Sequence, residues 1–273
     1  MSDQNPGKLN QLLASLGDST LVTTRWLRER GYASNLIARY VASGWLESPA
    51  RGVYLRKGGH LSWQGVLRAL QTGEDLPLHA GGRFALAWRG HEHYLRLGTS
   101  ATVTLYGPAP LPGWAGKLPL KERLVGCGKG PFDFPTLCFS GEPADEVLRE
   151  RGLERVAHGS EVDGLVFATP ERAMLELCDA PADAALVYEV DALMQGMANL
   201  RPKRVEMLLC HCVSIKAKRL FLALAERHAH AWLPHVSLEG VDLGRGKRVL
   251  VHGGRLHPTY HITLPADLDE QLG

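Results

Sequence analysis

The chain has 273 residues, 45% apolar and 22% charged, the balance of a soluble globular protein with room for two domains. Its formal charge of +2 hides an asymmetry: residues 1–60 carry eight Lys/Arg against four Asp/Glu, residues 131–200 four against fourteen, and residues 201–260 eleven against four. No run approaches the roughly 18 apolar residues of a membrane helix, no charged and apolar leader opens the chain, and five cysteines without framework spacing suit reduced thiols in a cytoplasm.

Leu9, Leu12, Leu13 and Leu16 recur at i, i+3, i+4 and i+7, which predicts an amphipathic helix over residues 8–16 that Gly17 and Asp18 end. A second helix should open at Thr23 or Thr24, both good caps, and run to Gly31. Ser34 then reads as the cap of a third helix ending at Gly44. Two short helices joined by a tight turn, the first ending in Gly, have the pattern of a helix-turn-helix. Residues 45–47 and 53–55 read as strands around a Pro- and Gly-containing turn, a small hairpin. Three helices followed by a hairpin is the order of a winged helix.

That order assigns roles to particular residues. On the third helix Leu36, Ile37, Tyr40 and Val41 can form the buried side, leaving Ser34, Asn35, Ala38 and Arg39 opposite. Asn pairs well with adenine and Arg with guanine, so Ser34, Asn35 and Arg39 are the candidates for base edges. Thr24, Arg25 and Arg28 on the second helix are candidates for backbone phosphates. Arg51 at the hairpin tip, with Arg56 and Lys57 after the second strand, suits a wing beside phosphates or a minor groove.

Beyond the hairpin, residues 62–72 predict a helix capped by Ser62, and 79–88 another. Strands are expected at 94–97, 102–106, 136–140 and 165–168, with a Pro/Gly-rich loop at 107–119. Pro170 opens a helix through Cys178, and further helices are predicted near 184–198, 202–212 and 214–230. Two strand-like runs, 248–251 and 260–264, end the chain. Strands flanking a helical block favour α+β over a regular βαβ alternation. Two basic stretches stand out as candidate phosphate contacts: Lys216, Lys218 and Arg219 on one helix, and Arg245, Lys247 and Arg248 on a glycine-containing turn.

Enzyme signatures are missing. No Asp or Glu has Lys two positions on, as the metal-dependent restriction nucleases need. GRGKR lacks P-loop spacing and no G-x-S-x-G elbow occurs. Cys210-His211-Cys212 and His91-Glu92-His93 cluster ligand types without metal-site spacing, so no metal and no cofactor is expected.

Several stretches, in order, resemble the AbiEi family, the antitoxin half of bacterial abortive-infection type IV toxin–antitoxin systems. They include VTTRWLRERGYASNLIARYVASGWLESPARGVYLRKG, SWQGVLRALQ, LHAGGRFALAWRGHEHYLRLG, TPERAMLEL, LRPKRVEMLLCHCVSIKAKRLFLALAERHAHAW and DLGRGKRVLVHGGRLHPTYHITLP. The resemblance implies an α+β protein with a winged helix-turn-helix DNA-binding domain and its following helices over 1–92, and a larger mixed α+β antitoxin domain over 93–273. It implies a non-enzymatic repressor that binds double-stranded DNA at inverted repeats in its own promoter and counters a nucleotidyltransferase-like toxin without a stable complex. The 214–219 and 245–248 cations would then support antitoxicity or extend DNA contact. The protein is expected as a cytoplasmic monomer or homodimer without membrane contact. A stand-alone regulator and a metal-dependent nuclease are the alternatives.

Overall fold

A computed structural model of the chain describes residues 6–89, 102–139, 144–158, 161–181 and 183–268. The leucine stripe forms α1 (Pro6–Ser15), and Leu12 and Leu16 turn inward. β1 (Val22–Thr23) leads into α2 (Thr24–Glu29), and α3 (Ser34–Ala42) follows. Thr23 caps α2, its hydroxyl accepting the Trp26 N–H at 3.2 Å. At α3 the expected cap is displaced: Ala33 occupies the extended cap position without a side-chain bond, and Ser34 is the first helical residue.

The hairpin pairs β2 (Leu46–Ala50) with β3 (Val53–Arg56), and β3 also pairs with β1, giving the order β1-β3-β2. β2 runs further than expected because a bulge between Glu47 and Ala50 absorbs Ser48-Pro49. The Ser48 hydroxyl lies 3.0 Å from both the Ala50 and Val53 carbonyls across that bulge. The turn therefore shrinks to Arg51-Gly52, where Gly52 takes a φ of 83° that a side chain would oppose.

α1, α2, α3 and β2 close around Leu12, Leu16, Leu27, Ile37, Tyr40 and Leu46. Strand alternation gives β3 two jobs. Tyr54 packs on this small core, whereas Val53 and Leu55 enter a second, larger core that runs through the rest of the chain.

The large core is built on a five-stranded sheet. Ser62 caps α4 (Trp63–Arg68), which continues into a π-type turn over Ala69–Gly73. β4 (His79–Ala80), α5 (Gly82–Trp88), β5 (Thr102–Tyr106), β6 (Arg123–Gly126), α6 (Asp145–Arg149), β7 (Leu153–His158) and β8 (Glu161–Ala168) follow. The sheet order is β6-β5-β4-β8-β7, with β5–β6 and β4–β8 parallel and the other pairs antiparallel. The helix expected over 79–88 is thus split, and its first two residues are the central strand. Gly81-Gly82 makes the break, because a side chain at either position would run into Tyr106, and one at Gly81 also into Glu176.

Other expectations also change. Residues 136–139 are irregular, held by the Asp75 carboxylate accepting the Phe139 N–H at 2.8 Å. The run at 248–251 contributes only a bridge between Arg248 and Ile262, and 260–264 contracts to β10 (Thr263–Leu264), paired with β9 (Arg255–Leu256). The strand expected at 94–97 and the His91-Glu92-His93 cluster lie outside the described residues.

The helical block holds α7 (Pro170–Asp179), α8 (Ala184–Gln195), α9 (Pro202–His211) and α10 (Ile215–Arg227), with Pro at the first position of α7 and α9. Every residue of α7 from Glu171 to Cys178, and of α10 from Ala217 to Ala225, is buried. The elements over 63–88 share this core. The architecture is mixed α+β, with a small N-terminal part and a larger body. Among the described residues, no helix is long and apolar enough to cross a membrane.

Candidate nucleic-acid interface

At about 100° per residue, α3 sorts its side chains into two faces. Ile37 and Tyr40 are buried and Leu36 and Val41 half-buried, while Ser34, Asn35, Ala38 and Arg39 are exposed. Asn35 Oδ1 accepts the Leu36 N–H at 2.8 Å, and among the described residues its amide nitrogen meets no acceptor. Arg39 meets no described partner. An unpaired guanidinium on an exposed helix is a ready donor for a carbonyl-rich groove or a phosphate.

The other head residues are more committed. Arg28 Nη2 donates to Ser34 Oγ at 2.8 Å and ties α2 to the start of α3. Arg25 donates to Glu29 Oε1 at 2.9 Å and to the Glu74 carbonyl at 3.2 Å. The hydrogen bond and charge of Glu29 push Arg25 further above its ordinary pKa. Thr24 sends both its N–H, at 2.8 Å, and its hydroxyl, at 3.2 Å, to the Gly52 carbonyl, so α2 grips the hairpin tip. Arg51 on that tip is exposed, Lys57 is exposed, and Arg56 reaches Asp18 only at 3.8 Å. Among the described residues, the side chains of Arg39, Arg51 and Lys57 and the amide nitrogen of Asn35 meet no hydrogen-bond partner, whereas Thr24, Arg25, Arg28 and Ser34 also hold the N-terminal part together.

The basic stretches of the body separate sharply. Lys218 and Arg219 are each 3% exposed, so neither presents a charge to a phosphate. Arg219 donates to the carbonyls of Leu243 at 2.6 Å, Gly246 at 2.7 Å and His261 at 3.3 Å, and so anchors the loop over 243–248. Lys216 caps the end of α7 through the carbonyls of Asp179 and Ala180, at 2.7 and 2.6 Å, and burial lowers its pKa. Arg245, Lys247 and Arg248 are exposed on the loop that Arg219 holds. Cys210 is exposed and Cys212 buried, and among the described residues no group of three or more His, Cys, Asp or Glu is placed to hold a metal ion.

One polar cluster escaped the sequence reading. Glu176 on α7 accepts from Arg172 Nε at 2.8 Å and from the Gly82 N–H at 3.0 Å, and lies 2.7 Å from His79 Nε2. Burial alone would raise the Glu176 pKa, but His79 and Arg172 hold it below its ordinary value, and the carboxylate is ionised. Burial pushes His79 down, so a neutral ring donating Nε2–H fits the site. Arg172 stacks over Phe132, its guanidinium carbon 4.5 Å from the ring centroid. The signal in the sequence was an Arg–Glu pair at i, i+4 in a helix whose other residues through Cys178 are apolar apart from Glu171, TPERAMLELC.

With this geometry in place, the comparisons with known proteins divide the chain in two. Residues 5–97 match a family described as "Transcriptional regulator, AbiEi antitoxin N-terminal domain". Residues 100–265 match one described as "Transcriptional regulator, AbiEi antitoxin, Type IV TA system". The search of curated proteins gives no match. Among solved structures, the RV2827C protein from Mycobacterium tuberculosis is similar at 19% identity and a TM-score of 0.52, covering 93% of this chain and 90% of that one. At that identity the likeness speaks for the fold.

Proposed function

This chain belongs to the AbiEi family of antitoxins and transcriptional regulators of type IV toxin–antitoxin systems, and from that premise we propose that it represses its own operon through a winged helix-turn-helix within residues 1–92. The second part, residues 93–273, counters a nucleotidyltransferase-like toxin without forming a stable complex with it. The protein acts in the cytoplasm, has no catalytic activity of its own, and meets double-stranded DNA at inverted repeats in its promoter.

The observation that carries this reading is the exposed face of α3. Its inner side chains fill the small core, while Asn35 and Arg39 stand outward with donors free, next to a short hairpin whose tip bears Arg51. A recognition helix in a major groove offers that pattern, and a wing lays a cation on the flanking backbone. Of the body's six candidate cations, Arg245, Lys247 and Arg248 are the exposed ones and serve as candidates for additional DNA or antitoxin contacts.

The test uses the operon itself. A promoter fused to a reporter is measured with and without the chain, and the neighbouring gene is expressed alone and with it. Repression of the reporter and relief of the neighbour's toxicity are expected. An unresponsive promoter refutes the repressor half, and a harmless neighbour refutes the antitoxin half.

A further inference from the structure

Away from α3, the start of β4, the turn leaving β5, the loop over 132–139, the start of β7 and the first turn of α7 enclose a cleft of about 100 Å³. One ordered water needs roughly 10–15 Å³ on that scale, so the space suits several waters or one small organic molecule. Its charge is one-sided. Lys129, Arg151 and Arg172 line it, and among the described residues no Asp or Glu does.

These cations are only partly employed within the protein. Lys129 is exposed and meets no described acceptor. Arg151 sends Nη1 to the Val147 carbonyl at a long 3.3 Å, and its buried Nε–H has no acceptor among the described residues. Arg172 spends Nε on Glu176 and Nη1 on the Arg151 carbonyl, and its Nη2 has no described acceptor. The facing wall is apolar, with half-buried Phe134 and Leu137.

We propose that this cleft binds a small anion with an apolar or planar body. Its oxyanion sits among Lys129, Arg151 and the Nη2 edge of Arg172, and its body rests on Phe134 and Leu137. The guanidinium fork fits carboxylate and phosphate oxygens alike, so the shared chemistry is an oxyanion head. No carboxylate lines the cleft wall, and Glu176 behind it offsets only Arg172, so Lys129 and Arg151 leave the cleft with excess positive charge that concentrates such a ligand. The site is independent of the DNA-binding reading, because its lining residues all lie after β3, outside the three helices and hairpin that carry the DNA-contact candidates.

The experiment titrates the full chain by calorimetry with inorganic phosphate and, separately, with benzoate. Saturable binding of one equivalent is expected for at least one of them. Phosphate alone points to a phosphate ester, benzoate alone to a carboxylate, and both to a head group of either kind. Lys129→Ala with Arg151→Met should weaken that binding by about tenfold or more, and Arg39→Ala with Arg51→Ala should leave it unchanged. Lys129→Ala alone, at an exposed position, should weaken it severalfold without disturbing the fold. The proposal is overturned if neither compound saturates, or if the cleft variants bind as tightly as the parent.

Discussion

Replacing Arg39 by Ala should weaken binding to the chain's own promoter while leaving the protein as stable as before. Arg39 is exposed on α3 and meets no described partner, so its removal strands no buried group. Surface changes of that kind move stability by at most about 0.5 kcal/mol. An Arg that reads a guanine edge contributes about 1–3 kcal/mol, which corresponds to about 5- to 140-fold in Kd. Arg51→Ala makes the control, because a wing cation on phosphates weakens all sequences alike and lowers the salt slope by about 1. Fluorescence anisotropy with the promoter duplex and a scrambled duplex, at several salt concentrations, separates the two. Thermal unfolding checks that both variants are intact. Equal losses on promoter and scrambled DNA for Arg39→Ala would falsify the base-reading role. If both variants bind the promoter like the parent, the winged-helix reading itself fails.

The remaining predictions concern what holds the interface in place. Thr23→Ala removes the cap that accepts the Trp26 N–H, and should cost about 1 kcal/mol in urea unfolding; an unchanged midpoint would assign the cap elsewhere. Gly65→Ala drives a methyl into the Ser19 carbonyl and should destabilise by about 1–3 kcal/mol, visible as a lower Tm. Arg219→Met takes the donor from the Leu243 and Gly246 carbonyls, while the His261 carbonyl keeps the Arg248 N–H, and should cost about 1–3 kcal/mol, with faster trypsin cleavage at Arg245 and Lys247; equal cleavage in parent and variant would show that Arg219 does not order the loop. Acid should also weaken the fold through the His79–Glu176 pair. Both groups titrate lower in the folded chain than their ordinary 6.5 and 4.5, so the unfolded state binds more protons as pH falls. Stability from His79 is then complete above about pH 6.5 and declines below it, with Glu176 adding its loss in more acid solution. The urea midpoint should drop between about pH 7 and pH 5 in the parent and drop less in His79→Gln; parallel curves would remove His79 from the explanation.

What could be read in the residues follows a physical pattern. Helices announced by Ser62 and Pro170 form where expected, because a cap or a ring-fixed φ acts locally. The faces of α3 are legible for the same reason, since a 3.6-residue period shows within nine residues. β4 could not be read: two residues carry no period, and the strand exists only because β5 and β8 bracket it. α10 misled differently. In IKAKRLFLALAER the cations lie on a helix with no solvent face over its middle, so Arg219 looks like a surface charge until its three carbonyl partners are seen. Ser34 and Arg28 were assigned separately to bases and phosphates, and their mutual bond is a contact across two helices that spacing does not encode.

That distinction between holding and touching shapes the whole surface. Thr24 is bound twice to the Gly52 carbonyl and is half-buried, yet it fixes the turn that carries Arg51. Arg219 is buried, yet it fixes the loop that carries Arg245, Lys247 and Arg248. In each case a polar group satisfied inside the protein holds the segment whose free cation faces solvent. Order fixed before binding reduces the conformational entropy lost on contact, so a stiff tip delivers more of the Arg51 charge to a phosphate than a mobile one would. The same economy appears in β3, where Val53 and Leu55 enter the large core and Tyr54 the small one. A strand that feeds two cores leaves no hinge at the wing, and the Arg25 bond to the Glu74 carbonyl braces α2 against the body as well. Counting basic residues therefore overstates the contact surface and understates its rigidity: Thr24, Arg25, Arg28 and Ser34 are held within the protein, and they keep the segments bearing Arg39 and Arg51 in register.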